Sequence, residues 1–177
     1  PPEVSDEQYV LGLRSEASVK VRDGLMDVKR LEHVDDHGLE QWKPVMKAAF
    51  PLAQADVVAV IEDLGASPAD LERAEYTVDQ LVDEVLRPRA DVLVLGVHKE
   101  RVRFTVGGCM AELSELRTEY GATRTVAVEA EDPDRVIAAV GELGLVAPRN
   151  VSVPRKLKAL AGFAARRYAV IDVGTNS

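Results

Sequence analysis

Lys20 and Arg22, Asp27 and Lys29, Lys99, Arg101 and Arg103, and Glu129 and Glu131 fall on alternate positions of valine-rich stretches. Side chains of a β-strand alternate faces, so each charged set projects to one side while Val19, Val21, Val28, Val102, Val126 and Val128 project to the other. Phosphate groups are held by Lys and Arg, and a chain of phosphates needs several cations spread along a track. Period-two cations on adjacent strands supply such a track. The 177-residue chain carries a formal net charge of -8, so a basic face must be local. The same pattern also describes a two-faced antiparallel sheet with one solvated, charged face and one buried face.

The acidic positions suggest a second kind of chemistry. Glu129 and Glu131, joined by Glu112 from a neighbouring strand, offer oxygen donors of the kind Mg²⁺ or Mn²⁺ prefers when it bridges to phosphate. Their alternative role is to pair with nearby arginines. The single cysteine, Cys109, excludes an internal disulfide, and the scattered His33, His37 and His98 give no zinc pattern. With 30 acidic against 22 basic residues, coating of duplex nucleic acid by bulk positive charge is excluded. No apolar run approaches the ~20 residues that span a bilayer, and the opening Pro-Pro-Glu-Val-Ser-Asp-Glu is unlike a basic signal peptide. A cytoplasmic protein without a membrane partner is expected, and the abrupt start leads us to expect sequence upstream.

These residues need strands to position them. Tyr9 to Leu13, Ser18 to Arg22 and Leu25 to Val34 read as strands, with Asp23-Gly24 as a two-residue hairpin turn. From Gly38 to Phe50, Leu39, Trp42, Val45, Met46 and Ala49 recur at helical spacing, predicting a helix with Trp42 as a core anchor. Helices are also predicted over Asp56 to Leu64 and over Thr77 to Leu86. Ala90 to Val106 reads as one long strand, Gly107-Gly108 as a turn, Cys109 to Leu116 as its hairpin partner and Thr123 to Glu131 as a further strand. Asp132-Pro133 opens a helix to about Leu143, and a short basic helix follows at Pro154 to Leu160. The fold class is therefore α+β, an antiparallel β-barrel or strongly curved sheet with covering helices.

Val19-Lys-Val-Arg22, Asp27-Val-Lys29, Val97-His-Lys99-Glu-Arg101 and Val126-Ala-Val-Glu129, with the helix ending Glu142-Leu-Gly-Leu145, resemble the CYTH or triphosphate tunnel metalloenzyme superfamily over residues 9 to 160. The resemblance implies an eight-stranded antiparallel barrel whose basic residues bind a triphosphate or polyphosphate and whose acids hold a divalent metal. It implies Lys20, Arg22, Lys29, Lys99, Arg101 and Arg103 as phosphate ligands, and Glu112 and Glu129 as acids. Two departures bear on catalysis. The family's opening Glu-x-Glu-x-Lys strand is not found before Tyr9, and Ala127 stands where the first acid of the late pair belongs. Either the opening strand lies outside this chain, or the module binds without hydrolysing.

Tyr168-Ala-Val-Ile-Asp172-Val-Gly174-Thr175-Asn176-Ser177 is similar to the first strand and phosphate loop of the exopolyphosphatase and guanosine pentaphosphate phosphatase family. Small residues there let backbone N–H groups approach an oxyanion. The expected organisation is a polyphosphate-binding domain over 1–162, then a linker and the truncated start of a phosphatase domain over 163–177. The expected function is an accessory domain that binds inorganic polyphosphate or triphosphate for an exopolyphosphatase-like enzyme, raising local substrate concentration by tethering. Arg155, Lys156, Lys158, Arg166 and Arg167 would lie at the junction and guide the polyanion. The alternatives are a metal-dependent triphosphatase and a non-catalytic module for dimerisation or interdomain packing.

Overall fold

The computed structural model describes residues 1–145 and 150–164. Seven strands form one antiparallel sheet: β1 (Glu3–Gly12), β2 (Ser18–Arg22), β3 (Leu25–Val34), β4 (Glu40–Ala49), β7 (Val92–Val106), β8 (Cys109–Thr118) and β9 (Gly121–Glu129), in the order β4-β3-β2-β1-β7-β8-β9. The short strands β5 (Leu52–Ala53) and β6 (Glu75–Tyr76) pair separately. The helices are α1 (Gln54–Asp63), a π-helical segment (Gln80–Leu86), α2 (Pro133–Glu142) and α3 (Val153–Leu160). The sheet is strongly curved and nearly a barrel, as the fold class predicts. Among the described residues β4 and β9 remain separate edges, so the eight-stranded closure implied by the family resemblance is not formed.

Local chemistry accounts for the turns. Asp23 and Gly24 adopt φ of 52° and 70°, and Gly107 and Gly108 adopt 55° and 78°, the left-handed pairs that match a tight hairpin to the twist of its strands. Thr77 and Gln80 cap each other reciprocally, since each backbone N–H donates to the other's side-chain oxygen. The Asp132 carboxylate accepts from Asp134 N at 3.0 Å to start α2, with Pro133 in its first turn.

The two faces of the sheet bury different partners. On the convex side Val10, Val19, Met26 and Val28 pack beneath α1 and the π-helical segment, with Leu52, Leu64, Leu81 and Leu86 fully buried. Each such leucine contributes about 1.5–3 kcal/mol by leaving water. The α1 end closes tightly on β1: a Cβ on Gly12 would stand 1.9 Å from the Leu64 carbonyl oxygen, so only glycine fits there. On the concave side Tyr9, Leu11, Leu95, Val97 and Leu116 form a smaller core around Leu157 of α3, which fills one end of that face.

Two expectations are corrected. Residues 40–49 form an edge strand and not a helix. Val28 pairs with Met46 and Lys29 with Pro44, so Val45 is an extra bulge residue, and a second irregularity follows between Leu31 and His33. These insertions break the period-two pattern and mimic helical spacing, while an edge strand tolerates Pro44. Trp42 is half-buried opposite Leu31, its indole donating to Glu40 Oε2 at 3.1 Å, and is not a core anchor. Strand β1 begins at Glu3, six residues before the predicted start, and pairs with β7 from Glu3–Arg101 through Gly12–Val92. The stretch before Tyr9 is therefore part of the sheet and brings Glu3, Ser5 and Glu7 beside β7.

Candidate anion site on the concave face

The register sets the site. On β7, Lys99, Arg101 and Arg103 alternate on the concave face. Their partners are Ser5 and Glu3 on β1, and Leu116, Ser114 and Glu112 on β8. On β2, Lys20 stands opposite Tyr9 of β1 and Asp27 of β3, and Arg22 follows it on the same face. The six predicted phosphate ligands thus share one face of the sheet, drawn from β2, β3 and β7. Lys29 is half-buried and makes no ion pair among the described residues, whereas the other five are engaged with carboxylates.

Two carboxylates organise those five cations. Glu7 has no exposed side-chain surface and lies 3.0 Å from Lys20 Nζ and 3.5 Å from Arg22 Nη1. Ser5 Oγ donates to it at 3.2 Å. Burial raises the Glu7 pKa, but Lys20, with help from Lys99 and Arg22, overrides this and holds the carboxyl below its ordinary value. Burial pulls Lys20 down, only partly offset by Glu7. Lys20 also lies 5.6 Å from the centroid of the Tyr9 ring. Burial, followed by the adjacent Glu7, pushes the Tyr9 hydroxyl above its usual range.

Glu112 is the second organiser. Lys99 Nζ lies 2.6 Å from it, Arg103 Nε 3.4 Å and Arg101 Nη1 3.7 Å, and Ser114 Oγ donates to it at 2.8 Å. Burial pushes its carboxyl up, but the hydrogen bonds from Lys99 and Ser114 prevail and hold it at about 2. Glu3 adds a third carboxylate, 2.9 Å from Arg101 and 3.7 Å from Arg103. The ion-pair network thus joins five cations to three carboxylates, with Lys99 acting electrostatically on Glu7 while bonded to Glu112. A cleft of about 520 Å3 over Gly96, lined by His98 and Arg117 among others, shares Glu7 and Arg22 with this network.

The predicted metal donors do not converge. Glu112 is committed to cations, Glu129 shares the concave face but is exposed opposite Met110, and Glu131 is exposed beyond the end of β9. Among the described residues no group of three His, Cys, Asp or Glu is arranged to hold a metal ion. The donor set does not fit a resident Mg²⁺ or Mn²⁺.

Glu3 and Glu7 were missed by sequence reasoning. The signal was the same alternation, Glu3, Ser5, Glu7 and Tyr9, in a stretch too polar to read as a strand. The predicted junction cations have structural partners: Arg155 pairs with Glu16 and Glu40, and Lys158 donates to the Gly12 and Ser15 carbonyls, anchoring α3 to β1, to the turn after it and to β4. Arg166 and Arg167, and the loop residues Asp172, Gly174, Thr175, Asn176 and Ser177, lie outside the described residues.

Among the described residues, no helix is long and apolar enough to cross a membrane. No protein-family model matches the chain. It is similar to a tRNA dimethylallyltransferase of Corynebacterium glutamicum, 29% identical over 136 residues, which cover 74% of this chain and 44% of that protein. The chain spans less than half the length of the relative it matches.

Proposed function

We propose that this chain is an anion-binding accessory module of the triphosphate-tunnel type, whose ligand is inorganic triphosphate or polyphosphate and whose partner is an exopolyphosphatase-like phosphatase. The supporting observation is that Lys20, Arg22, Lys99, Arg101 and Arg103 share one concave face of a protein with a formal net charge of -8. A curved, low-dielectric wall focuses their field on a linear anion. Binding is metal-independent in this reading, because the cations already supply the counter-charge.

Calorimetric titration with tripolyphosphate and with long-chain polyphosphate, with and without Mg²⁺, tests it while released phosphate is assayed. Salt-sensitive binding without release is expected. Metal-dependent release lost in Glu129→Gln would replace the proposal with a tunnel hydrolase. Tighter binding of tRNA than of polyphosphate would replace it with the ligand class in the relative's name.

A second reading, self-association, is favoured by Val102, Leu113 and Val126. They pair in one row across β7, β8 and β9 on the convex face and are all exposed, beside exposed Phe104. Sedimentation of the protein at several concentrations tests it: a monomer throughout would remove this reading.

A further inference from the structure

Glu112 occupies the place that an anionic ligand would take. Three cations of one strand converge on it, and Ser114 completes its coordination. We propose that Glu112 is a built-in competitor that sets the minimum length of the anion this face accepts, so that linear polyanions bind and single phosphates do not. This inference rests on the anion-binding reading of the concave face.

The geometry separates two kinds of carboxylate. Glu7 has no exposed side-chain surface and is fixed as the counter-ion of Lys20 and Arg22. Glu112 keeps 19% of its side chain exposed and bridges Lys99 to Arg103, which is 45% exposed, so it can swing away from its partners. Glu3, more exposed still, shares Arg101 and Arg103 from the opposite strand. An incoming anion must return to these cations the charge it displaces.

Length then decides. Alternate strand residues recur every ~6.7 Å, so Lys99 to Arg103 spans about 13 Å. One phosphate, with a charge of about -2, can reach these three cations only by displacing Glu112, which already holds them. A chain of phosphates reaches all of them and extends to Arg22 and Lys29. A long chain can also rest on those other cations with Glu112 in place. A short anion has no such option, so removing the carboxylate favours short anions more.

The test is titration of the wild-type chain and Glu112→Gln with orthophosphate, pyrophosphate and long-chain polyphosphate in metal-free buffer. The amide keeps an oxygen for Ser114 and loses the charge. Pyrophosphate affinity is expected to rise about tenfold or more, with a smaller gain for the long chain, as for a close charge removed from an electrostatic interface. Equal gains for both anions, or weaker binding of both, would overturn the competitor role while leaving polyphosphate binding intact. Failure of the wild type to bind any polyphosphate would overturn both readings. Glu3→Gln, at an exposed position, is expected to shift the same ratio in the same direction by less; an unchanged ratio in a folded Glu3→Gln would count against the proposal even if Glu112→Gln did not fold.

Discussion

Lys20 Nζ lies 3.0 Å from Glu7 Oε2, and the Glu7 side chain is fully buried while Lys20 keeps only 14% of its side chain exposed. Neither charge has an easy route back to water if its partner is lost. Glu7→Ala would strand Lys20 and Arg22 and is expected to cost about 3–5 kcal/mol, the scale for breaking a buried pair from one side. Urea unfolding measures this; a loss under about 1 kcal/mol would show that water replaces the carboxylate without difficulty.

The acid limb of stability follows from the same carboxylates. Glu112 is held at about 2, below the ordinary 4.5, and Glu7 is also held low. A depressed carboxyl contributes stability that is fully present above its unfolded value and lost as pH falls through its folded value. Stability to urea should therefore fall from about pH 4.5 toward pH 2, the window set by Glu112. In Glu112→Gln that fall should be shallower, and an identical slope would detach Glu112 from it.

Two glycines offer a matched pair. Gly12→Ala drives a methyl into the Leu64 carbonyl, whereas a Cβ on Gly96 meets nothing within 4 Å. The first substitution is expected to destabilise by about 2 kcal/mol or more. The second should be neutral or stabilise by about 0.5 kcal/mol, as Gly→Ala does inside a strand. Thermal melts of the two variants give the comparison, and similar melting temperatures would contradict the close packing of β1 on α1.

Arg103 and Lys29 are cations of the concave face whose loss leaves the buried Glu7 pair untouched. Arg103→Ala with Lys29→Ala should weaken long-chain polyphosphate binding by about tenfold or more and lower the salt dependence by about one unit of slope per cation removed. Titration at three salt concentrations reads both, and an unchanged slope would mean that these residues lie off the ligand track.

The charged alternation made most of the site legible. Lys20, Arg22, Lys99, Arg101 and Arg103 declare their face by period two, and Asp23-Gly24 and Gly107-Gly108 fix the hairpins that align them. What pattern could not show was pairing over distance. Glu3 and Glu7 sit in a polar stretch that becomes a strand only because ten residues of β7 lie beside it. The bulge at Val45 disguised β4 by shifting its phase. Glu112 was read as a metal donor because sequence supplies its strand but not the cations converging on it, and those cations change its chemistry.

The docking of α3 has a consequence for how a polymer would lie. Leu157 is fully buried against Leu11, Leu95 and Leu116, and Lys158 and Arg155 bolt the helix to Gly12, Ser15, Glu16 and Glu40. Lengthwise, the cationic track therefore has a blind end. With β4 and β9 left as separate edges, a linear anion would settle onto the open face and turn away from α3, leaving past Arg103 or across toward Arg22 and Lys29. The helix would thus set the direction in which a bound polymer runs off the protein.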